Sequence, residues 1–351
     1  MKTAATITIA VCTILTLVSF EGNSEETASW TESMKEMSNG LLVLMPSLVR
    51  LREIETESER AEILLKSKAL AKSAHKLDKI KSPPSADPAL KFISGDLHGD
   101  LASAIQLMEQ GKWAQGKRQM LGATRNCIAC HSLRPGPSRL SFKVDLSGLK
   151  PLQQADYYAA TRQFEQAIIN YEKALTDEKW AAANEEKWNQ AFQRLLALTV
   201  RVRNSPSLSM ELISRFFDSK TYPQGLKPVA WTWRAHTKEW RIEKSVKGDL
   251  LKKASELIAK ADELQAKTQD PVGLILYLRA SGMLHTFLIS SGNSQNQEAL
   301  YLAGKSAEGL LHLNFWTYPE DYYRACTAID RATSWKKACE ERLQIVKNIS
   351  G

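Results

Sequence analysis

The residues best suited to chemistry are Cys127, Cys130 and His131, in the run Cys127-Ile128-Ala129-Cys130-His131. Residues three apart on a helix share a face, so both thiols at this spacing can reach the vinyl groups of a porphyrin and form thioethers. The adjoining imidazole is then placed to ligate the iron. C-x-x-C-H is the pattern of c-type haem attachment. A redox dithiol, a zinc knuckle or a structural disulfide would use the same two cysteines. A thioredoxin-like dithiol needs a βαβ setting that is absent here, and zinc needs a second ligand pair that the isolated neighbouring histidines do not supply. One covalent haem c is expected, with His131 as proximal iron ligand.

The elements that must hold this motif read as helices throughout, with no alternating β-branched run to compete. A first helix should run from about Ala28 until Pro46 kinks or ends it. Thr56 with Glu59 forms a capping box for a second, whose inward seam is Ile63, Ser67, Leu70, Ala74 and Leu77, and Pro83-Pro84 stops it. Asp87-Pro88 starts a third as N-cap and first-turn proline, with Leu90, Ile93, Leu97, Leu101, Ala104 and Met108 inward, and Gly111 closes it. The fourth runs from about Trp113 to His131. Short connections between four helices imply an antiparallel up-down-up-down bundle.

The segment from Trp30 to Arg134 resembles the class II cytochromes c, the cytochrome c-prime group. The resemblance rests on a four-helix bundle with C-x-x-C-H near the end of its last helix and a Met-Lys pair, Met34-Lys35, early in the first. It covers about a third of the chain. Two departures are visible: the basic residue usually four places after the haem histidine stands three places on, at Arg134, and the second helix carries His75. In an antiparallel bundle the end of the fourth helix lies beside the end of the second and the start of the first. This geometry nominates His75 as sixth iron ligand, then Met34 or Met37, then an open position. His98 lies mid-helix, too far along the bundle. His/His ligation would lower the potential relative to His/Met, and an open position would admit gas or peroxide.

Around this core, 351 residues exceed one ordinary core and suit two domains. Lys2 followed by an apolar run from Ala4 to Phe20 and the polar Glu21 to Ser24 reads as a secretory signal peptide over residues 1–24, with a retained N-terminal anchor as the competing reading. Cys12 belongs to that segment. The expected localisation is periplasmic, and no later stretch is apolar enough to span a bilayer. The cytochrome domain then occupies 25–134, a Pro/Gly linker 135–150 and a second helical domain 151–351. The net charge of +8 is diffuse: residues 25–140 hold 17 basic and 14 acidic residues, a net +3, which leaves +5 elsewhere and removes the main support for nucleic-acid binding. Lys68, Lys72, Lys76 and Lys79 complement a helix dipole, but they also form a stripe beside His75 that would steer an acidic redox partner.

The second domain resembles a tetratricopeptide repeat at Tyr158, Phe164, Ala167, Tyr171 and Ala174, with Gln154 and Ala155 replacing the usual Leu-Gly and Arg162 replacing a common Gly. Later segments, roughly Trp180 to Val202, Met210 to Phe217, Pro228 to Lys247, Leu250 to Lys267, Val272 to Ser290 and Glu298 to Leu313, keep a helical-hairpin rhythm without consensus. An α-solenoid is therefore expected, which would offer a protein partner a groove. Trp231, Trp233 and Trp240 either line such a groove or fill the core. His236, His285 and His312 form no ligand motif. Cys326 and Cys339 suit a disulfide pinning a terminal hairpin. The reading is all-α: a monohaem electron carrier, not an enzyme, with a helical-repeat domain docking a protein partner. A haem gas sensor or peroxidase, and a repeat scaffold with structural haem, are the rivals.

Overall fold

The computed structural model describes residues 24–49, 56–79, 87–132, 146–243, 249–290, 292–313 and 318–350. The signal segment with Cys12, Pro83-Pro84, Arg134 and most of the expected linker lie outside the described residues. All regular structure among the described residues is helical. None of those helices is long and apolar enough to cross a membrane.

Helices α1 (Ser24–Val49), α2 (Glu57–Lys79), α3 (Leu90–Glu109) and α4 (Trp113–Ser132) pack each on the next, and α4 returns to α1. The capping box forms as expected: the Thr56 N–H donates to Glu59 Oε2 at 2.7 Å and the Glu59 N–H to Thr56 Oγ1 at 3.3 Å. Every seam residue expected on α2 and α3 is buried. Gly111 takes φ +78°, which lets the chain reverse between α3 and α4. Gly116 brings those two helices close, since a Cβ there would stand 2.8 Å from the Ala104 carbonyl oxygen. Pro46, expected to kink or end α1, does not end it. The helix continues to Val49, because its packed face, Leu41, Leu44, Met45 and Leu48, is buried through that turn.

The C-terminal part begins with α5 (Pro151–Ala160) and α6 (Phe164–Leu175), joined at Arg162, whose φ of +60° is a conformation that glycine adopts without strain. Phe164, Ala167, Tyr171 and Ala174 are buried, whereas Tyr158 is only half-buried and its neighbour Tyr157 fills the core. The expected helix Trp180 to Val202 is divided. Asn184 separates α7 (Glu178–Ala183) from α8 (Glu185–Ala197), which runs into a π-helical turn at Leu198–Val202. Helices α9 (Pro206–Phe217), α10 (Lys227–Ile242), α11 (Leu250–Gln265), α12 (Leu274–Ile289), α13 (Gln297–Glu308), α14 (Pro319–Thr327) and α15 (Ser334–Ser350) follow. From α11 to α15 each packs on the next, as α9 does on α10.

Three of these helix pairs share a bond that periodicity did not reveal. A tyrosine hydroxyl on the second helix donates to a carboxylate 15 residues earlier on the first: Tyr171 to Asp156, Tyr277 to Asp262 and Tyr323 to Glu308. Arg194 adds a second donor to Asp156, and Arg342 one to Glu308. Trp233 is fully buried, Trp240 half-buried and Trp231 56% exposed, so the tryptophans divide between core and surface. Cys326 and Cys339 are bonded, Cα to Cα 6.3 Å, which ties α14 to α15.

The first four helices are not isolated from the rest. Leu41, Met45, Leu90, Ile93 and Ile128 belong to the same apolar cluster as the C-terminal helices. Asp87, 1% exposed, crosses the junction. One carboxylate oxygen accepts from the Ala89 N–H at 3.0 Å, as a local cap would. The other lies 2.7 Å from His285 Nδ1 on α12 and 3.5 Å from the Tyr322 hydroxyl on α14. Arg324 on α14 reaches Asp96 on α3 at 3.1 Å.

Two stability measurements follow. Asp87→Ala should lower urea-unfolding stability by about 3 to 5 kcal/mol, the scale of a broken buried pair, against about 1 kcal/mol if the residue were only a helix cap. Cys326→Ala/Cys339→Ala, which opens a link across 13 positions, should cost about 3 kcal/mol in the same assay.

Candidate functional site

The cysteine-histidine run occupies the last turns of α4, whose expected end near His131 agrees with Trp113–Ser132. Cys127 sits where two apolar clusters meet. One is the core of the first four helices, with Met37, Leu70, Ala74, Leu77 and Leu97, and the other extends into the C-terminal helices. Burial pushes its thiol up to about 12, so it stays protonated at neutral pH. Cys130 lies three residues on, one turn from Cys127 along α4; its side chain lies outside the described ones.

His131 is half-buried, with Nδ1 2.7 Å from the Ala160 carbonyl oxygen at the end of α5. Burial pushes its imidazole down to about 4; the positive charge of Arg162 adds to this, and the Ala160 carbonyl opposes it. The ring is therefore neutral at pH 7. A carbonyl can only accept, so the proton is on Nδ1 and the lone pair on Nε2. A histidine fixed in this tautomer by a backbone carbonyl is the arrangement of a metal-ligating imidazole. Arg162, held at positive φ in the α5–α6 turn, is close enough to act on that ring. The α4 backbone is tied to α3 by the Asp100 carboxylate, which accepts from Gln119 Nε2 at 3.2 Å and Asn126 Nδ2 at 2.9 Å. Burial raises the Asp100 pKa, and the Asn126 bond opposes this.

No family model, curated protein or solved structure matches this chain.

His75, Met34 and Met37, the three residues expected as alternative iron ligands, fall in different places. His75, expected to look inward, is exposed on α2. Its ring lies 4.6 Å, centroid to centroid, from that of His98 on α3, the residue expected to lie too far along to matter. One position along α2, Ala74 takes the inward place and is fully buried. Met37 is buried and Met34 half-buried, both within the core that Cys127 also packs against. Of the lysine stripe, Lys68 pairs with Glu109 at 2.6 Å and Lys76 with Glu36 at 3.0 Å. Lys72 and Lys79 are exposed and have no ion-pair partner among the described residues. His236, His285 and His312 bond to Glu239, Asp87 and Gln193.

Sequence reasoning did not find Ala160 or Arg162 as neighbours of His131, because they lie 29 and 31 positions away across the expected linker; the positive-φ demand at Arg162 was visible only as a replaced glycine. The titration of His131 has a measurable consequence. The unfolded chain's imidazole takes a proton near 6.5 and the folded one only near 4, so between these values the unfolded state binds more protons. In the haem-free protein this contribution to stability is intact above about pH 6.5 and is lost as the pH falls toward 4. Urea midpoints should drop across that window, and His131→Gln should flatten the drop.

Proposed function

We propose that this chain is an exported monohaem c-type cytochrome: a four-helix bundle of the c-prime type that carries single electrons, built onto an α-solenoid that docks a protein partner. The observation that carries the reading is the His131 Nδ1 bond to Ala160, which leaves Nε2 as a ligand directly beside a C-x-x-C pair on the same helix. The donor set fits a haem. Cys127 and Cys130 would hold it through thioethers and His131 would ligate its iron, supplying a one-electron redox centre. Each residue then has a defined task. The Ala160 carbonyl keeps the proton on Nδ1 and fixes the ring plane. The apolar residues around Cys127 exclude water, and the Asp100 bonds to Gln119 and Asn126 hold α4 in register with α3.

Besides His131, Met37 rather than His75 would ligate the iron, because Met37 is buried in the core shared with Cys127 whereas His75 is exposed. A thioether there favours a higher potential than bis-histidine ligation would. If Met37 does not ligate, the open position suits gas binding, the second reading. An acidic redox partner would meet Lys72 and Lys79, since Lys68 and Lys76 are already paired. The repeated tyrosine-carboxylate pairs support the solenoid reading, since they recur in three helix pairs at one spacing.

The deciding measurement is a pyridine haemochrome and a reduced-minus-oxidised spectrum on protein expressed with a haem-attachment system. One haem per chain is expected. Cys127→Ala/Cys130→Ala should abolish covalent attachment, and Met37→Ala should convert a low-spin ferrous spectrum to a high-spin, carbon-monoxide-binding one while His75→Ala leaves it unchanged. Absence of covalent haem in the unaltered chain would refute the cytochrome reading.

A further inference from the structure

Six histidines occur in the chain, and four of them, His131, His236, His285 and His312, have a ring nitrogen bonded to a protein acceptor. The other two are His75 and His98, and they face each other across α2 and α3. Asp78 stands three residues after His75, on the same face of α2. One ligand atom from each of the three residues lies within 4.8 Å of the others. Among the described residues none of the three has a hydrogen-bond or ion-pair partner, although Asp78 is half-buried and lysines stand close by in sequence on α2. A half-buried carboxylate ordinarily finds a donor, and here two imidazoles stand within reach of it. The backbone of α3 allows the approach: Gly95 faces Asp78, and a Cβ at that position would stand 3.4 Å from Asp78 Oδ1.

We propose that His75, Asp78 and His98 form a surface site for a borderline divalent transition-metal ion of the zinc, copper or nickel class, separate from the haem site. Two imidazoles and one carboxylate are the donors such ions prefer, while calcium and magnesium want oxygen sets that this site does not offer. Three protein ligands at an exposed position leave at least one coordination place for water or for a donor from another molecule. The site rests on α2 and α3 alone, so it does not depend on haem being present. It also accounts for His75 without assigning it to iron.

The test is zinc titration by calorimetry of untagged, metal-stripped full-length protein, with copper in a parallel series. One saturable site is expected. His98→Ala and Asp78→Asn should each weaken it by at least about tenfold, with unchanged circular dichroism and an unchanged haem spectrum. Cobalt loading should give visible d–d bands that the same variants remove. Zinc bound instead by Cys127, Cys130 and His131 would survive both substitutions, so binding that is insensitive to His98→Ala and Asp78→Asn overturns the proposal, as does the absence of saturable binding in the unaltered chain. Absence of a haem spectrum from the unaltered chain would refute the cytochrome reading while leaving this site standing, whereas its loss in His98→Ala or Asp78→Asn alone would overturn the claim that the two sites are separate.

Discussion

The arrangement of this molecule depends on the burial of one carboxylate. Asp87 opens α3 and would be an ordinary surface cap if the first four helices stood alone, but it is inserted among His285, Tyr322 and the neighbouring Arg201 of the π-helical turn. Taking a carboxylate out of water is costly unless its oxygens are satisfied. Its two oxygens accept from Ala89 on one side and from the C-terminal helices on the other, so the polar demand of a single residue is met only when both parts of the chain are folded and in contact. Asp87 and His285 are both buried, and Leu90, Ile93 and Ile128 belong to the apolar cluster that the two parts of the chain share.

This junction is also where the cysteine-histidine motif ends. His131 does not complete its hydrogen bonding within the first four helices; its acceptor is the last residue of α5, across the segment expected to be a linker. The C-terminal part therefore orients the imidazole as well as packing beside it. The same turn places Arg162 in a left-handed conformation near the ring, at a cost of about 1 kcal/mol in backbone energy. A positive charge there disfavours imidazolium and keeps Nε2 available as a donor.

Much of the helical framework was legible because it is local. The seams Ile63 to Leu77 and Leu90 to Met108, the Thr56–Glu59 box, the Gly111 reversal and the Cys326–Cys339 bond depend on spacing along one helix or one hairpin, and periodicity reports these directly. Side-chain direction was harder to read. His75 and Ala74 are adjacent, and about 100° of helix rotation separates an inward residue from an exposed one, so placing a histidine one step from a seam does not settle where its ring points. The proline at 46 does not end its helix for a related reason, since tertiary burial of one helix face outweighed a local breaker.

What the sequence by itself determined is the chemistry on offer: two cysteines and a histidine in a C-x-x-C-H run, a helical framework to carry them, and a cysteine pair able to staple the last hairpin. What only the tertiary structure decided is which distant groups complete that chemistry. Ala160 beside His131, His98 beside His75 and His285 beside Asp87 are joined across 29, 23 and 198 positions. No periodicity encodes such pairings, because they arise from the packing of whole helices and from the requirement that buried polar groups find partners wherever the fold brings them.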